Sequence, residues 1–352
     1  MDLNNLIPSF ILISFGLFFY RYFLFILSKY NLKMFIDDQL KKPQAFHQSP
    51  IPTIGGLGIF FSFLILCLYL FLSKQIIYYE YLSFCTLFFI LGLSDDLKLN
   101  IRPKFRLIIM IFFLITLVIS NEFYVKDTGI SFLNRFLEID IFALFFICLC
   151  FLFIINGSNL IDGYNGLLSI HVLIILINLF IINYFNGNND LAFFIFNVIL
   201  IITVFLKYNF PSAKIFLGDS GSYFLGTFIA ISVIKTSIAN PTISPFYFCI
   251  LLFYLFFEVF FSFIRKIAVE KTSPLFPDRK HLHMLIYKKL LKKNKNELSS
   301  NYYVSILINL IYLILIIPAT LMMHNGIFCK YYSIVFFLIY LFSYKIIYEE
   351  VK

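Results

Sequence analysis

Charged residues are scarce in this sequence. Only 13% of its 352 residues are Asp, Glu, Lys or Arg, whereas 61% are hydrophobic and the mean hydropathy is +0.91. An ordinary soluble domain is about a quarter charged and about half apolar. The composition therefore excludes a typical soluble domain and predicts a polytopic membrane protein.

Other features are missing as well. The first apolar stretch has no basic leader and no small-residue cleavage site, so we expect it to stay in place as a membrane helix. No soluble domain, long low-complexity segment or internal repeat is visible, and we predict a single transmembrane domain over residues 1–352. The six cysteines have no metal-type spacing and are expected to be small hydrophobic side chains in apolar runs: Cys67, Cys85, Cys148, Cys150, Cys249 and Cys329.

Long apolar stretches make up most of the chain. Spanning a bilayer takes about 20 apolar residues per helix. Stretches of that kind start near residues 6, 55, 77, 105, 139, 165, 191, 220, 246, 302 and 330. They predict an all-α integral membrane protein with a bundle of about eleven transmembrane helices. Gly55–Gly58, at the start of the second helix, suits close helix packing.

The basic residues are distributed unevenly between the two sides of this topology. Alternate connections, counted from the first loop, carry 22 Lys and Arg residues, and the other side carries five, with Arg21 left unassigned inside the first stretch. Because basic residues favour the cytoplasmic side, the N-terminus is predicted outside and the C-terminus in the cytoplasm. The basic loops would attract anionic lipid headgroups or an anionic substrate.

Four polar clusters fall on the predicted cytoplasmic face. They are "LGLSDDLKLN" with Asp95 and Asp96, "INGSNLIDGYNGL" with Asn156, Asn159 and Asp162, "IFLGDSGSYFLG" with Asp219, and "SPLFPDRKHLHML" with Asp278, Arg279, His281 and His283. The topology rests on the span count and the basic residues alone. Convergence of the clusters on one face is therefore independent support for an active site in the cytoplasmic loops.

The residue types in these clusters favour phosphate chemistry. Carboxylate and amide oxygens suit Mg²⁺ or Mn²⁺, and two adjacent aspartates repel each other less when a cation lies between them. Gly218 and Gly221 predict that backbone N–H groups at a helix start approach a phosphate closely. The cations and histidines of residues 279–283 would supply positive charge or donors to a second anion.

These motifs together resemble a known family, the polyprenyl-phosphate N-acetylhexosamine-1-phosphate transferases of glycosyltransferase family 4, over nearly the whole chain. The corresponding elements are "IPTIGG" at 51–56, the Asp95–Asp96 pair, Asn156-x-x-Asn159-x-x-Asp162-Gly163, "GDSGS" at 218–222 and "PDRKHLHML" at 277–285. Two departures concern substrate preference. Met284 stands where many relatives have a last histidine, and the first loop reads "KKPQAFHQSP", with Lys41, Lys42 and His47.

The resemblance implies a function. The protein would transfer a sugar 1-phosphate from a UDP-sugar to undecaprenyl phosphate, releasing UMP and starting a surface glycan such as O-antigen or a teichoic-acid linkage. UDP-GlcNAc or a deoxy N-acetyl relative is the expected donor. The expected setting is the cytoplasmic (inner) membrane, with membrane lipids as partners, no nucleic acid, and a homodimer as one oligomeric form known in the family.

Roles for individual residues also follow from the resemblance. Asp219 is expected to be the main ligand of Mg²⁺ (with Mn²⁺ as the alternative metal), and Asn159 the second ligand. Direct attack by the lipid phosphate and a two-step route through an aspartyl-phosphate both stay open. The expected catalytic residues are Asp95, Asp96 and Asp219, and the expected substrate-binding residues are Asn156, Asp162, Arg279, His281, His283 and His47.

Two other functions are consistent with parts of the sequence. One is the phospho-MurNAc-pentapeptide translocase of peptidoglycan synthesis, whose branch carries a triple-histidine run that this chain lacks. The other is an ion-coupled secondary transporter, because Glu258 lies inside the ninth apolar stretch and intramembrane acids often mark ion pathways. A carrier would instead place its ionisable groups near the bilayer midplane, often in repeated halves.

Overall fold

The computed structural model describes residues 3–30, 36–37, 51–99, 101–125, 127–273 and 278–352. Within these ranges the chain is almost entirely helical. The first seven helices are α1 (Leu3–Tyr30), α2 (Gly55–Lys74), α3 (Tyr79–Asp96), α4 (Pro103–Asn121), α5 (Ser131–Leu137), α6 (Asp140–Ile161) and α7 (Leu167–Phe185). The others are α8 (Asn189–Asn209), α9 (Gly218–Ala239), α10 (Pro245–Leu251), α11 (Phe253–Ile264), α12 (Leu282–Asn294), α13 (Glu297–Leu321) and α14 (Gly326–Val351).

Three short non-α elements, one π-helical turn and two strands, complete the secondary structure of the described residues. A π-helical turn, Arg265–Glu270, continues α11. Strands β1 (Ile36–Asp37) and β2 (Ile51–Pro52) pair antiparallel, with Ile36 opposite Pro52. The prediction of an all-α membrane protein is confirmed, since this two-residue ladder is the only sheet in the described part of the chain.

The helices lie where the spans are predicted, but at most ten of the eleven predicted spans are long and apolar enough to cross a membrane in the described residues. In the described ranges, nine helices are long and apolar enough to cross a membrane, and α10 with α11 and its π-helical continuation forms a tenth span bent by 73°. At the bend, the Tyr312 hydroxyl donates a hydrogen bond to the Leu251 carbonyl at 2.6 Å. Helix α3 is the eleventh segment. Its 18 residues give about 27 Å at 1.5 Å per residue, and Glu80, Asp95 and Asp96 make it less apolar than the rest.

Helix α9 occupies the centre of the bundle and packs most extensively against α3, with α6, α2 and α7 around it. Small residues account for its central position, because Gly, Ser and Thr allow neighbouring backbones to approach closely. Gly226, Thr227 and Ser232 are all buried in this helix. The Ser232 hydroxyl is also 3.0 Å from that of Tyr81 on α3, so this interior polar pair joins the two helices.

The helix ends define the part of the bundle that holds the polar clusters, which we call the site end. At the site end α3 and α6 finish and α9 begins, so Asp96, Ile161 and Gly218 lie at the same level of the bundle. A cavity of about 830 Å³ lies at the opposite end, between residues 241–246 and 321–330. None of the predicted site residues lines that cavity.

Cysteine behaves largely as the sequence predicts. All six thiols are free. Cys85, Cys148 and Cys329 are buried in the core, Cys67 and Cys150 are partly buried, and Cys249 is exposed on the outside of the bundle.

Candidate active site

The Asp95–Asp96 pair forms the last turn of α3 and meets the first turn of α9. Asp96 accepts hydrogen bonds from the backbone N–H of Asp219 at 2.8 Å and of Ser220 at 3.0 Å, one on each carboxylate oxygen. A carboxylate is stabilised at a helix N-terminus by the unpaired N–H groups and the helix dipole. The sequence predicts that these N–H groups approach a phosphate. The structure shows that Asp96 already accepts them, because α3 packs directly against α9.

Gly218 makes this contact possible. Its φ of +79° lies in the left-handed region, which favours glycine over other residues. A Cβ at this position would also lie 2.7 Å from an Asp96 carboxylate oxygen, closer than a real side chain can approach. The glycine of the "GDSGS" motif is therefore required by the backbone turn and by the closeness of Asp96.

The "IPTIGG" segment holds the other side of the same turn. Backbone N–H groups of Gly55 and Gly56 donate to the carbonyls of Phe216 and Leu217 at 2.9 and 2.8 Å, and the N–H of Phe216 donates to Pro52 at 2.8 Å. A Cβ on Gly56 would lie 2.4 Å from the backbone nitrogen of Gly221. The segment thus holds residues 216–221 in place through backbone contacts. This confirms the close packing that the glycines of the segment predict.

Asp219 projects from this turn between two partners. Asn159, in the last turn of α6, donates through Nδ2 to Asp219 Oδ1 at 2.8 Å and to Ser222 Oγ at 3.1 Å. On the other side, Arg106 Nη1 lies 3.7 Å from Asp219 Oδ2 and forms an ion pair with Asp95. The Asp219 side chain remains 39% exposed, so an incoming ligand can reach it.

Arg106 is a site residue that the sequence analysis did not single out. It stands in the first turn of α4, which begins at Pro103, and its guanidinium carries positive charge to both Asp95 and Asp219. In the sequence it is one of four basic residues between positions 98 and 106, and no spacing distinguishes it from its neighbours. Only the packing of α4 beside α3 selects it.

Asp162 lies just beyond the end of α6, one turn after Asn159. Burial of its carboxyl group raises its pKa well above the usual range, and the negative charges of Asp219 and Asp96 raise it further. Asp162 is therefore close enough to Asp219 and Asp96 for their negative charges to act on its carboxyl group. Asn156 differs, because its amide donates to the Leu152 carbonyl of its own helix at 2.8 Å.

The turn that contains Asp162 is fixed by buried asparagines on two other helices. Asn301 of α13 accepts a hydrogen bond from the N–H of Asn165 at 2.8 Å, and Asn209 of α8 accepts one from the N–H of Gly166 at 2.7 Å. These bonds satisfy backbone groups that would otherwise be buried unpaired. Residues 162–166 therefore form a rigid wall of the site.

Both predicted histidines in the described part of the chain are buried. His281 is 3% exposed, and its ring nitrogens face two carboxylates, Glu258 Oε1 at 3.2 Å and Asp278 Oδ1 at 3.6 Å. His283 is fully buried, with Nδ1 3.4 Å from the Tyr254 hydroxyl. Burial lowers the pKa of His283 to about 4, so its ring is neutral at physiological pH.

The other members of that segment are arranged differently. Arg279 is exposed, whereas Met284 is buried in the hydrophobic core. The methionine that replaces the last histidine of many relatives is thus a packing residue. The ring of His283 lies 5.8 Å from that of Tyr164, which brings the segment against the wall at 162–166. His47, Lys41 and Lys42 lie outside the described residues.

Glu258, on which a transporter function would depend, has three hydrogen-bonding partners. Its carboxylate accepts from the Tyr340 hydroxyl at 2.6 Å and the Leu282 N–H at 2.9 Å, and it faces His281. A buried carboxylate with three partners is a structural acceptor and leaves little room for a transported ion.

Comparison with known proteins identifies the family of this chain. The family model "Glycosyl transferase family 4" matches residues 78–237. The undecaprenyl-phosphate alpha-N-acetylglucosaminyl 1-phosphate transferase of Thermotoga maritima is 31% identical over 252 residues, which are 70% of this chain and 71% of that protein. This chain belongs to glycosyl transferase family 4.

Other members of glycosyl transferase family 4 align over shorter parts of their length. The Escherichia coli K12 protein of the same name is 27% identical, covering 68% of this chain and 66% of that protein. The phospho-N-acetylmuramoyl-pentapeptide-transferase of Caldicellulosiruptor bescii is 29% identical, covering 54% and 62%. The family match includes Asp95, Asp96, Asn159, Asp162 and Asp219 and also contains Arg106, while residues 278–284 lie beyond it.

The donor set of this family 4 protein suits a divalent cation. Among the described residues, no three His, Cys, Asp or Glu side chains form a preformed metal cluster. Mg²⁺ does not need one, because it commonly takes one or two protein carboxylates and completes its shell with waters and substrate phosphates. The partly exposed carboxylate of Asp219 fits that pattern.

Proposed function

We propose that this protein transfers the 1-phosphate of an N-acetylhexosamine from a UDP-sugar to undecaprenyl phosphate and releases UMP, as the first step of a surface glycan. The observation that carries the proposal is the convergence of Asp95, Asp219 and Arg106 at the site end of a membrane bundle. The names of the Thermotoga and Escherichia relatives describe the same kind of transferase.

The position of the site suits a lipid substrate. The phosphate of a polyprenyl chain is held at the membrane surface, where the ends of α3, α6 and α9 also lie. The enzyme can therefore bind the phosphate without extracting the chain from the bilayer. We place this end on the cytoplasmic face, with the N-terminus outside, because the basic residues are concentrated in the connections at this end.

Each residue at the site has a distinct task in this proposal. Asp95 would orient the lipid phosphate or accept its proton, and its ion pair with Arg106 holds it in place. Arg106 would offer positive charge to the phosphates, and Asn159 would keep the Asp219 carboxylate oriented. Positioning and electrostatic stabilisation supply most of the acceleration of phosphoryl transfer.

Asp219 is the residue that would hold Mg²⁺, with the Asn159 amide oxygen as a second ligand. When bound, the cation would offset the repulsion between the attacking anion and the donor diphosphate. Arg279, exposed in the segment whose His283 packs against the site wall, would bind the diphosphate, and Asp162 the nucleotide or sugar. Asp96 contributes by fixing the Asp219 backbone.

A second candidate is the phospho-MurNAc-pentapeptide transfer named for the Caldicellulosiruptor relative. It shares the chemistry and the lipid acceptor and differs in the donor. One assay therefore separates the two. UMP release is measured from purified protein in detergent with undecaprenyl phosphate and Mg²⁺, using UDP-GlcNAc, UDP-GalNAc, deoxy N-acetyl sugars and UDP-MurNAc-pentapeptide in parallel.

The decisive variant is Asp219→Asn. We expect at least a hundredfold loss of UMP release, since removal of one preorganised electrostatic group in an active site costs about 10²–10³ in rate. Asp190→Asn is the matched control. Asp190 lies in the first turn of α8, far from the site end of the bundle, and forms an exposed ion pair with Lys74. Near-normal turnover by folded Asp219→Asn would remove Asp219 from the chemistry. Silence of the wild-type protein with every donor would reject the proposed function.

A further inference from the structure

The carboxylate of Glu258 joins three separate parts of the chain. Glu258 belongs to α11 and is 1% exposed. One oxygen accepts the backbone N–H of Leu282 at 2.9 Å, at the start of α12, and faces His281 Nδ1 at 3.2 Å. The other oxygen accepts the hydroxyl of Tyr340, from α14, at 2.6 Å. The segment after residue 277 is thus connected to two helices of the bundle.

His281 is the second element of this connection. Its Nδ1 faces Glu258 and its Nε2 faces Asp278 Oδ1 at 3.6 Å, so the imidazole bridges two carboxylates. Both ring nitrogens have protein partners, and the ring is buried. This arrangement makes His281 a structural bridge, in contrast to the substrate contact expected from the sequence.

Asp278 is held from the other side. Arg265 Nη2 lies 3.0 Å and Lys266 Nζ 3.3 Å from its Oδ2. Burial alone would raise the pKa of Asp278, but the charges of His281, Arg265 and Lys266 and the Lys280 backbone N–H lower it to about 2. The carboxylate is therefore charged throughout the physiological range and can hold the segment continuously.

These contacts fix residues 278–283 at both ends. Asp278 is bound to the π-helical turn, and Leu282 is bound to Glu258. Arg279 projects to solvent between the two anchors. At the far end, His283 packs against Tyr164 on the site wall. The position of Arg279 thus depends on the anchors on either side of it.

Building on the proposed function, we propose that Glu258 is a positioning residue, which with Tyr340 and His281 holds residues 278–283 in the orientation that lets Arg279 bind the donor diphosphate. Without these anchors the segment would populate other orientations. A binding-competent state that is only partly populated raises the apparent dissociation constant in proportion. The expected signature is therefore a higher KM for the donor with an unchanged kcat.

Three variants test the assignment. Tyr340→Phe removes one hydrogen bond and leaves the ring packing in place. Glu258→Gln keeps an oxygen for Leu282 and His281 and an amide that can donate to Tyr340, whereas Glu258→Leu removes every acceptor. The matched control is Tyr332→Phe, which lies on the same helix and loses only a bond to the Leu315 carbonyl.

Steady-state kinetics with UDP-GlcNAc, or with the donor that supports turnover, provide the first readout. We expect the KM to rise about tenfold in Glu258→Leu, which corresponds to about 1.4 kcal/mol, and several-fold in Tyr340→Phe, with kcat within twofold of wild type. Glu258→Gln should recover most of the wild-type KM. A kcat loss at constant KM, or a wild-type KM in both Glu258→Leu and Tyr340→Phe, would overturn the proposal. If Glu258→Leu does not fold, Tyr340→Phe decides.

Hydrogen–deuterium exchange gives a second readout that does not need activity. Peptides covering residues 278–290 should exchange faster in Tyr340→Phe and Glu258→Leu than in wild type and Tyr332→Phe. Equal exchange in all four proteins would reject the anchoring role. An inactive wild-type protein with the expected exchange pattern would instead refute only the proposed transfer reaction, so the two failures are distinguishable.

Discussion

Replacing Asp96 should destabilise the fold, whereas replacing Asp219 should not. Asp96 accepts two backbone N–H groups at the start of the central helix and is partly buried where α3 meets α9. Asp219 is 39% exposed and its Arg106 contact is 3.7 Å long. The two aspartates therefore differ in what they contribute to stability, although both belong to the same motif set.

The magnitude follows from these contacts. Each hydrogen bond to a charged group contributes about 1.5–3 kcal/mol, and a carboxylate at a helix N-terminus gains about 0.3–2 kcal/mol from the dipole. Two such bonds and the dipole together give about 3–8 kcal/mol. Water can partly replace Asp96 at the site end, so we expect Asp96→Ala to lower the free energy of unfolding by less than this sum, about 2–4 kcal/mol. Asp96→Asn keeps one acceptor and should lose about half of that, again judged from the contribution of one bond. Asp219→Asn should cost about 0–1 kcal/mol, as exposed ion pairs do.

Thermal unfolding in detergent, followed by size-exclusion chromatography of the soluble fraction, measures the order directly. We expect wild type and Asp219→Asn to unfold together, Asp96→Asn at a lower temperature and Asp96→Ala lowest. UMP release should fall in all three variants. Wild-type thermal stability of Asp96→Ala combined with lost turnover would refute the helix-capping role and make Asp96 a direct contact of metal or substrate.

Two further predictions concern residues around the same turn. Asp162→Asn should raise the unfolding temperature, and this increase over wild type should become larger between pH 5 and pH 9. The reason is that the pKa of Asp162 is raised in the folded protein, so the wild-type carboxyl group loses its stabilising contribution as the pH rises through the folded-state pKa. A gain that shrinks with pH in parallel melting curves would contradict this sign. Gly56→Ala should cost about 1–3 kcal/mol by overpacking, since its Cβ would lie 2.4 Å from Gly221 N. Gly326→Ala, whose Cβ would meet only Ser244 Oγ at 3.8 Å, is the control, and equal unfolding temperatures for the two alanine variants would contradict the close approach.

Several site features depend on contacts between residues distant in sequence. Asp96 and Asp219 are 123 positions apart, and their contact arises because α3 packs along α9. Arg106 reaches Asp95 and Asp219 because α4 starts beside the end of α3 at the right rotation. A shift of one residue turns a side chain by about 100° around a helix axis, so the sequence pattern cannot specify which of the basic residues 98–106 faces the site.

In the histidine segment, too, the sequence predicts the chemistry and the tertiary contacts decide the role of each residue. Its residue types predict binding of an anion, but His281 and His283 are buried and Glu258 lies beneath them. The sequence places Glu258 inside an apolar span, where an isolated acid indicates either an ion pathway or a structural acceptor. The contact with Tyr340, 82 positions away, is what favours the structural role.

The sequence by itself determined the membrane class, the approximate starting points of the long apolar helices, and the gathering of four polar clusters at one end. These properties follow from local quantities: apolar length against bilayer thickness, and the order in which spans alternate. Only the tertiary structure decided what each polar residue does there. It shows that Asp96 caps a helix, that Arg106 belongs to the site and that Glu258 supports the histidine segment. Those roles depend on helix rotation and on pairings between distant segments, which hydropathy and spacing do not encode.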